Sequence, residues 1–271
     1  MQSFVDSRPQ TSPAGETVTG AAVPSGNCVL IIGASSSIAR AVARIFASAG
    51  SDLILAGRDI DDLKRTAADL RIRSGRRVDI VPFDAEAFDT HESFWRECQT
   101  RGGGALAGVV MLHGHLPIQS EGQSDLRIAR QAIDVNFISA VSVLTFAAND
   151  FEARKSGFLC VFSSVAGDRG RQSNYVYGSA KAALTAFLQG LRNRLSRSGV
   201  NVLTVKPGFV DTAMTWGMPG LFLVATPEKV AADVHRAIRR GASQIYTPWF
   251  WRYIMLIIKS IPEFIFKRLK M

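Results

Sequence analysis

The chain has 271 residues, enough for one large domain or two small ones, and carries 32 basic against 23 acidic side chains for a formal charge of +9. With 47% apolar and 20% charged residues it can bury a sizeable core, which excludes global disorder and a disulfide-stapled miniprotein. Cys28, Cys98 and Cys160 stand far apart with no CxxC pair or histidine cluster, so no metal site is expected and a reduced, cytoplasmic setting is the default.

Residues 1–26 are rich in Ser, Thr, Pro and Gly and lack a basic stretch followed by an apolar one, the pattern of a disordered leader and not of a signal peptide. From residue 27 apolar runs alternate with helical stretches. Strands are expected at 28–32, 53–56, 78–81, 107–112, 158–163, 201–205 and 244–246. Helices are expected at 36–49, 61–73, 87–100, 124–153, 174–197 and 227–240. Strands this apolar need both faces covered, and right-handed crossovers then lead to an α/β fold. The expectation is a single-domain, Rossmann-type doubly wound parallel sheet over residues 27–248.

The first strand runs into Gly33-Ala34-Ser35-Ser36-Ser37-Ile38-Ala39, where small residues allow a tight turn and bring the next helix's amides onto a pyrophosphate. The spacing is that of Gly-x3-Gly-x-Gly, with Ser37 and Ala39 in place of the second and third glycines. A plain strand-to-helix turn is the alternative. After the second strand stands Gly57-Arg58, with no carboxylate to accept from a ribose 2′-hydroxyl until Asp59. A guanidinium there suits a 2′-phosphate, so NADP(H) is favoured and NAD(H) is the alternative; a solvated surface arginine is the bland reading. Asp84, just past the third strand, is placed for an adenine amine or for a helix N-cap.

Tyr177-Gly178-Ser179-Ala180-Lys181 puts a phenol and an ammonium four residues apart, on one face of a helix. A neighbouring cation and an oxidised nicotinamide both favour phenolate, which makes Tyr177 usable for proton transfer. Upstream, Ser163-Ser164 closes a strand at its C-terminal edge, so Ser164 can donate to a substrate oxygen beside Tyr177. An isolated Tyr-x3-Lys is commonly structural; here the strand order, the serine and the glycine loop agree.

With these residues the chain resembles the classical short-chain dehydrogenase/reductase family across essentially all of residues 27–248. The motifs are Gly33-x3-Ser37-Ile38-Ala39, Asn136, Ser164, Tyr177-x3-Lys181 and Pro207-Gly208-Phe209-Val210-Asp211-Thr212. The resemblance implies a tetrad: Tyr177 as general acid in reduction, Ser164 on the carbonyl oxygen, Lys181 on the nicotinamide ribose and tuning Tyr177, and Asn136 placing a water relay. It implies cofactor contacts from Gly33, Ser35, Ser36, Ser37, Ile38, Arg58, Asp84, Gly114, Tyr177, Lys181, Pro207, Gly208, Val210 and Thr212. The family's Asn-Asn-Ala-Gly is here Met111-Leu112-His113-Gly114, keeping only the glycine; His113 or His115 then touches cofactor or substrate, or is a loop histidine. Residues 216–223 read as a mobile apolar lid.

The run from Ser163 through Tyr177, together with Phe250-Trp251-Arg252-Tyr253-Ile254-Met255 and Ile261-Pro262-Glu263-Phe264-Ile265-Phe266-Lys267, is similar to the decaprenylphosphoryl-2-keto-erythro-pentose reductases. That resemblance implies a lipid-linked 2-keto-pentose substrate in arabinan precursor synthesis for the cell wall, and a flavin-dependent oxidase partner. Arg169 and Arg171 are then candidate phosphate ligands, or solvated arginines and partners of Asp168.

Residues 249–271 form a basic, amphipathic tail. Arg252 and Lys259 leave too few apolar residues between them to span a bilayer, yet share one helical face beside a broad apolar surface. Ser260-Ile261-Pro262-Glu263 has capping-box spacing and predicts a second short helix. The tail suits peripheral contact with the inner face of the plasma membrane, and no nucleic acid partner is expected; a homo-oligomer interface or a cover over the substrate pocket are the alternatives. The rival activities are reduction of another lipophilic ketone, steroid or fatty acyl, and a non-catalytic dinucleotide sensor.

Overall fold

In the computed structural model, which describes residues 28–217 and 222–269, the apolar runs form seven strands. They are β1 (Cys28–Ile32), β2 (Asp52–Gly57), β3 (Val78–Pro82), β4 (Leu106–Met111), β5 (Phe158–Phe162), β6 (Asn201–Pro207) and β7 (Gln244–Thr247). They make one sheet in the order β3-β2-β1-β4-β5-β6-β7, with every neighbouring pair parallel. The order reverses at β1, so the connections leaving β1 and β4 turn to opposite faces of the sheet and open a crevice between them. The expected leader at 1–26 and residues 218–221 of the expected lid lie outside the described residues.

The helices, in chain order, are α1 (Ser37–Ser48), α2 (Ile60–Ser74), α3 (His91–Arg101), α4 (Gln119–Gly122), α5 (Leu126–Ile133), α6 (Ser139–Arg154), α7 (Tyr175–Leu195), α8 (Pro227–Arg239), α9 (Trp251–Ser260) and α10 (Glu263–Phe266). They cover both faces of the sheet because alternate residues of each strand point opposite ways. Val29 and Ile31 of β1 pack with Phe46 of α1, Leu63 of α2 and Val234 of α8. Leu30 and Ile32 pack with Trp95 of α3, Phe151 of α6 and Leu188 of α7. The Rossmann-type expectation therefore holds in detail. All three cysteines are buried in these layers, and burial pushes the Cys28 thiol up to about 12.

The helix expected at 124–153 is continuous in direction but not in winding. Between α5 and α6, residues Asp134–Ile138 form a π-helical turn. Its cause is side-chain competition for helix carbonyls: Asn136 Nδ2 donates to Ala132 O at 2.7 Å, and Ser139 Oγ donates to Val135 O at 2.8 Å. The run Leu126–Arg154 is long and apolar enough to cross a membrane, but α6 spends its inner face on the sheet through Val143, Leu144, Ala147 and Phe151.

Beyond β7 the tail folds back on the body as α9 and α10. Trp251, Met255 and Ile258 bury one side of α9 against Val165, while Trp249, Tyr253, Leu256 and Ile257 stay exposed. The second helix forms, but not by the expected capping box. Ser260 Oγ donates back to Leu256 O at 2.9 Å, and Pro262, not a side-chain oxygen, precedes α10. Ile261 is held extended before the proline, so Ser260 cannot face the Glu263 amide.

Candidate active site

At the end of β1, Gly33 takes φ +81°, and a Cβ there would lie 2.5 Å from the His113 backbone nitrogen. Only glycine lets the phosphate loop pass so close to the chain leaving β4. Ser36 caps α1 by accepting from Ala39 N at 3.1 Å, and Ser35 and Ser37 are exposed beside it. The start of α1 therefore stands just past the C-terminal end of β1, with Ala39 buried beneath and its amide taken by the Ser36 cap. Ser36 is the residue that fixes the helix start.

At the end of β2, Arg58 is exposed, whereas the Asp59 carboxylate is engaged as the N-cap of α2, accepting from Asp62 N at 2.9 Å. The nearby acid is thus withdrawn from any ribose, and the guanidinium is left facing solvent. Asp84 is exposed after β3. Its Oδ1 accepts from Glu86 N at 3.0 Å and caps no helix, so the N-cap alternative is corrected to a local turn.

Asn136 of the π turn, Ser164 after β5, and Tyr177 and Lys181 of α7 lie near the mouth of β4 and β5. Asn136 in the π turn clasps the residue after Gly114 from both sides: His115 N donates to its Oδ1 at 3.1 Å and its Nδ2 donates to His115 O at 2.6 Å. A Cβ on Gly114 would stand 2.8 Å from Asn136 Oδ1 and 3.5 Å from Lys181 Nζ, so these three groups share one small space. Lys181, 3% exposed, donates from Nζ to Phe162 O at 3.0 Å and lies 5.7 Å from the centre of the Tyr177 ring. Burial pulls its ammonium down to about 8.

Ser164 Oγ accepts from Ala166 N at 3.1 Å, which orients the hydroxyl and leaves its proton free to donate. Burial pushes the Tyr177 phenol up to about 12, with the Ser164 hydroxyl pulling the other way. Here the geometry amends the expected balance. Desolvation outweighs the Ser164 hydrogen bond and favours the protonated phenol, the form that a general acid needs.

Two glycines that the motif reading passed over bring Ser164 and Tyr177 together. A Cβ on Gly167 would fall 2.7 Å from Ala182 N, and one on Gly178 would fall 2.9 Å from Ala166 O, so the turn after Ser164 lies directly on the backbone of α7. The signal was in the sequence: a glycine inside a helix costs about 1 kcal/mol against alanine and calls for a packing reason. A third unread feature lies behind the turn, where Lys206 Nζ meets Asp168 Oδ1 at 2.5 Å and Tyr246 Oη donates to Asp168 Oδ2 at 2.7 Å.

On the far side of the cleft, Gly208 N donates to Thr247 O at 3.1 Å, which anchors the Pro207-Gly208 turn, and Val210 is buried. Thr212 Oγ1 sits 3.3 Å from Thr215 Oγ1 in a local turn.

Residues 27–219 match the short chain dehydrogenase family model. The chain belongs to that family. An uncharacterized oxidoreductase of Mycobacterium tuberculosis is 37% identical over 241 residues, covering 89% of this chain and 96% of its own. One of Streptomyces coelicolor is 32% identical over 244 residues, covering 89% and 95%. Among solved structures, a short chain dehydrogenase/reductase family protein superposes with TM-score 0.73 at 27% identity, over 82% of this chain and 95% of that one. A variant of actinorhodin polyketide ketoreductase with NADPH shares the fold, with TM-score 0.75 at 18% identity over 83% and 97%. The protein is therefore an NAD(P)-dependent oxidoreductase built on the family's cofactor-binding sheet. The crevice fits such a cofactor: the tight turn that only Gly33 permits, the capped start of α1 and the exposed Arg58 follow the C-terminal ends of β1 and β2.

Two expectations are corrected by placement. Arg169 is not left for a substrate phosphate, because its guanidinium donates to the carbonyls of Lys259 and Ile261 and pairs with Glu263. The uncapped carbonyls at the end of α9 attract it. Arg171 is half-buried near Asp168 with its Nε unpartnered among the described residues, so of the two it alone stays available. His113 is partly exposed but turns its ring inward. Its Nε2 lies 2.7 Å from Ser139 Oγ, its ring packs against Phe83, and burial pulls its pKa down to about 3, so it remains neutral.

Proposed function

We propose that the protein is an NAD(P)H-dependent carbonyl reductase acting on a lipophilic ketone, with a polyprenylphosphoryl 2-keto-pentose as the preferred substrate class. The observation that carries the reaction type is the placement of the Tyr177 phenol beside Ser164 and Lys181, at the sheet edge where the cofactor crevice opens. When bound, the reduced nicotinamide supplies hydride to the carbonyl carbon. Tyr177 Oη gives its proton to the carbonyl oxygen, and the Ser164 hydroxyl donates to that same oxygen as negative charge builds on it. Lys181 has one proton engaged by Phe162 O and two left for ribose hydroxyls, and its charge lowers the cost of the phenolate that remains. Asn136 fixes the 114–115 backbone next to that ammonium, as expected for a relay that returns a proton to Tyr177.

Gly33, Ser35, Ser36, Ser37 and Ile38 would hold the pyrophosphate, Asp84 the adenine, Gly114 the ribose, and Pro207, Gly208, Val210 and Thr212 the nicotinamide side. Arg58 supports NADPH over NADH. Arg58→Ala is expected to weaken NADPH binding by about 10-fold or more, as for loss of a charge-assisted bond, with NADH little changed. Cofactor fluorescence titration reads it, and equal losses for both would remove Arg58 from the 2′-phosphate.

The lipid-linked sugar is supported by the tail, whose exposed Trp249, Tyr253, Leu256, Ile257, Phe264 and Leu269 stand among Arg252, Lys259, Lys267 and Arg268. That surface suits peripheral contact with an anionic membrane on its cytoplasmic side. A homo-oligomer and a flavin-dependent oxidase that makes the ketone complete the reading. Turnover of purified polyprenylphosphoryl ketopentose against a panel of steroid, fatty acyl and simple ketones tests it. Preference for the panel transfers the assignment to another lipophilic ketone.

A further inference from the structure

The C-terminal helix is fastened to both loops that border the reaction site. From the loop after Ser164, Arg169 Nη1 donates to Lys259 O at 2.9 Å and to Ile261 O at 2.8 Å. Its Nη2 pairs with Glu263 at 2.8 Å, and the guanidinium lies 4.1 Å from the centre of the Phe266 ring. From the turn after β6, Gly208 meets Trp251 so closely that a Cβ there would fall 1.9 Å from the indole Nε1. Trp251 is 1% exposed and packs edge-on to Phe209, with centroids 5.4 Å apart. Phe222, on the chain after the Pro-Gly turn, lies 5.6 Å from the same indole. Between the two fastenings, Val165, next to Ser164, packs with Trp251, Met255 and Ile258.

A helix tied only to the outer surface would leave the two loops free to move independently of it. This one is capped by a side chain from the first loop and seated on a glycine of the second, so a shift of α9 must displace both. The buried Asp168, gripped by Lys206 and Tyr246, holds the base of the first loop and directs the neighbouring Arg169 outward to α9.

We infer that Arg169 and Trp251 are positioning residues that, through α9, hold Ser164 and the Pro207-Gly208 turn in reactive register. The inference rests on the reductase reading above. The assignment makes Gly208 part of the same tie, since any side chain there would drive the indole off the turn.

The test uses the full chain carrying Arg169→Ala, Arg169→Lys, Trp251→Ala or Trp251→Phe. Amide hydrogen exchange over residues 164–174 is expected to speed up by about 10-fold in both alanine variants, with β1–β3 unchanged. With NADPH, kcat for both methyl nonyl ketone and acetone is expected to fall about 10-fold in both alanine variants with KM little changed, while in Arg169→Ala the NADPH Kd stays within about two-fold. Lys at 169 and Phe at 251 should recover much of both effects. Unchanged exchange in the loop, or unchanged kcat on both ketones, would overturn the inference. If the unmodified protein reduces neither ketone, the reductase reading fails on that substrate class, and the exchange measurement still decides the coupling.

Discussion

Tyr177→Phe is expected to lower turnover by about 10²–10⁴, the range for removing a positioned general acid, while leaving NADPH affinity nearly intact. The substitution removes one oxygen and keeps the ring, so the packing of α7 against the turn at 165–167 should survive. The expected pH behaviour follows from the same burial. A phenol raised to about 12 stays protonated across the physiological range, so the acid form needed for reduction is not the limiting species near neutrality. Lys181, pulled down to about 8, loses its charge first, and reduction should decline as pH rises through that region. A pH profile of kcat/KM with saturating cofactor reads both. Unchanged turnover in Tyr177→Phe would remove it as the proton donor.

The sheet was legible because its strands are buried on both faces: β1 and β5 are wholly apolar runs bounded by small residues, and such runs leave little choice but parallel pairing between helical layers. Tyr177 and Lys181 were legible because their spacing is a property of one helix. What escaped was everything set by contact between distant segments. Arg169 was read as a phosphate ligand from its place after Ser164, yet its partners lie about ninety residues away, at the end of a helix whose docking no local pattern announces. The clasp of His115 by Asn136 likewise joins segments far apart in the chain, and the Asp168–Lys206–Tyr246 cluster joins a loop to β6 and β7, which only the completed sheet brings together. Ser260-Ile261-Pro262-Glu263 matched a local motif, but the Arg169 tie to Glu263 and the extended Ile261 took its members elsewhere.

Lys181→Met is expected to divide activity from stability. Loss of the ammonium removes charge-assisted bonds to the ribose, each worth about 1.5–3 kcal/mol, so kcat/KM should drop by about 10²–10³. The cofactor-free protein should nevertheless become more stable at neutral pH. The Lys181 ammonium is buried with Phe162 O as its one hydrogen-bond partner among the described residues, and its pKa falls from 10.5 to about 8, which costs the folded state about 3 kcal/mol wherever the unfolded chain is charged. The sign is set by proton uptake: between about 8 and 10.5 the unfolded chain binds the extra proton, so the stability of the unmodified protein rises with pH through that window. Methionine keeps the length of the stem without the charge, at the expense of leaving Phe162 O unpartnered by it, worth about 1 kcal/mol. The net gain at pH 7 should therefore be about 2 kcal/mol, or a few degrees in Tm for a chain of this size, and should shrink towards pH 10 as the native lysine becomes neutral. Thermal melts of both proteins at the two pH values check it. A variant less stable than the parent at pH 7 would mean that the cleft solvates the ammonium well, and that Lys181 is held charged by the fold instead of by the cofactor it is there to meet.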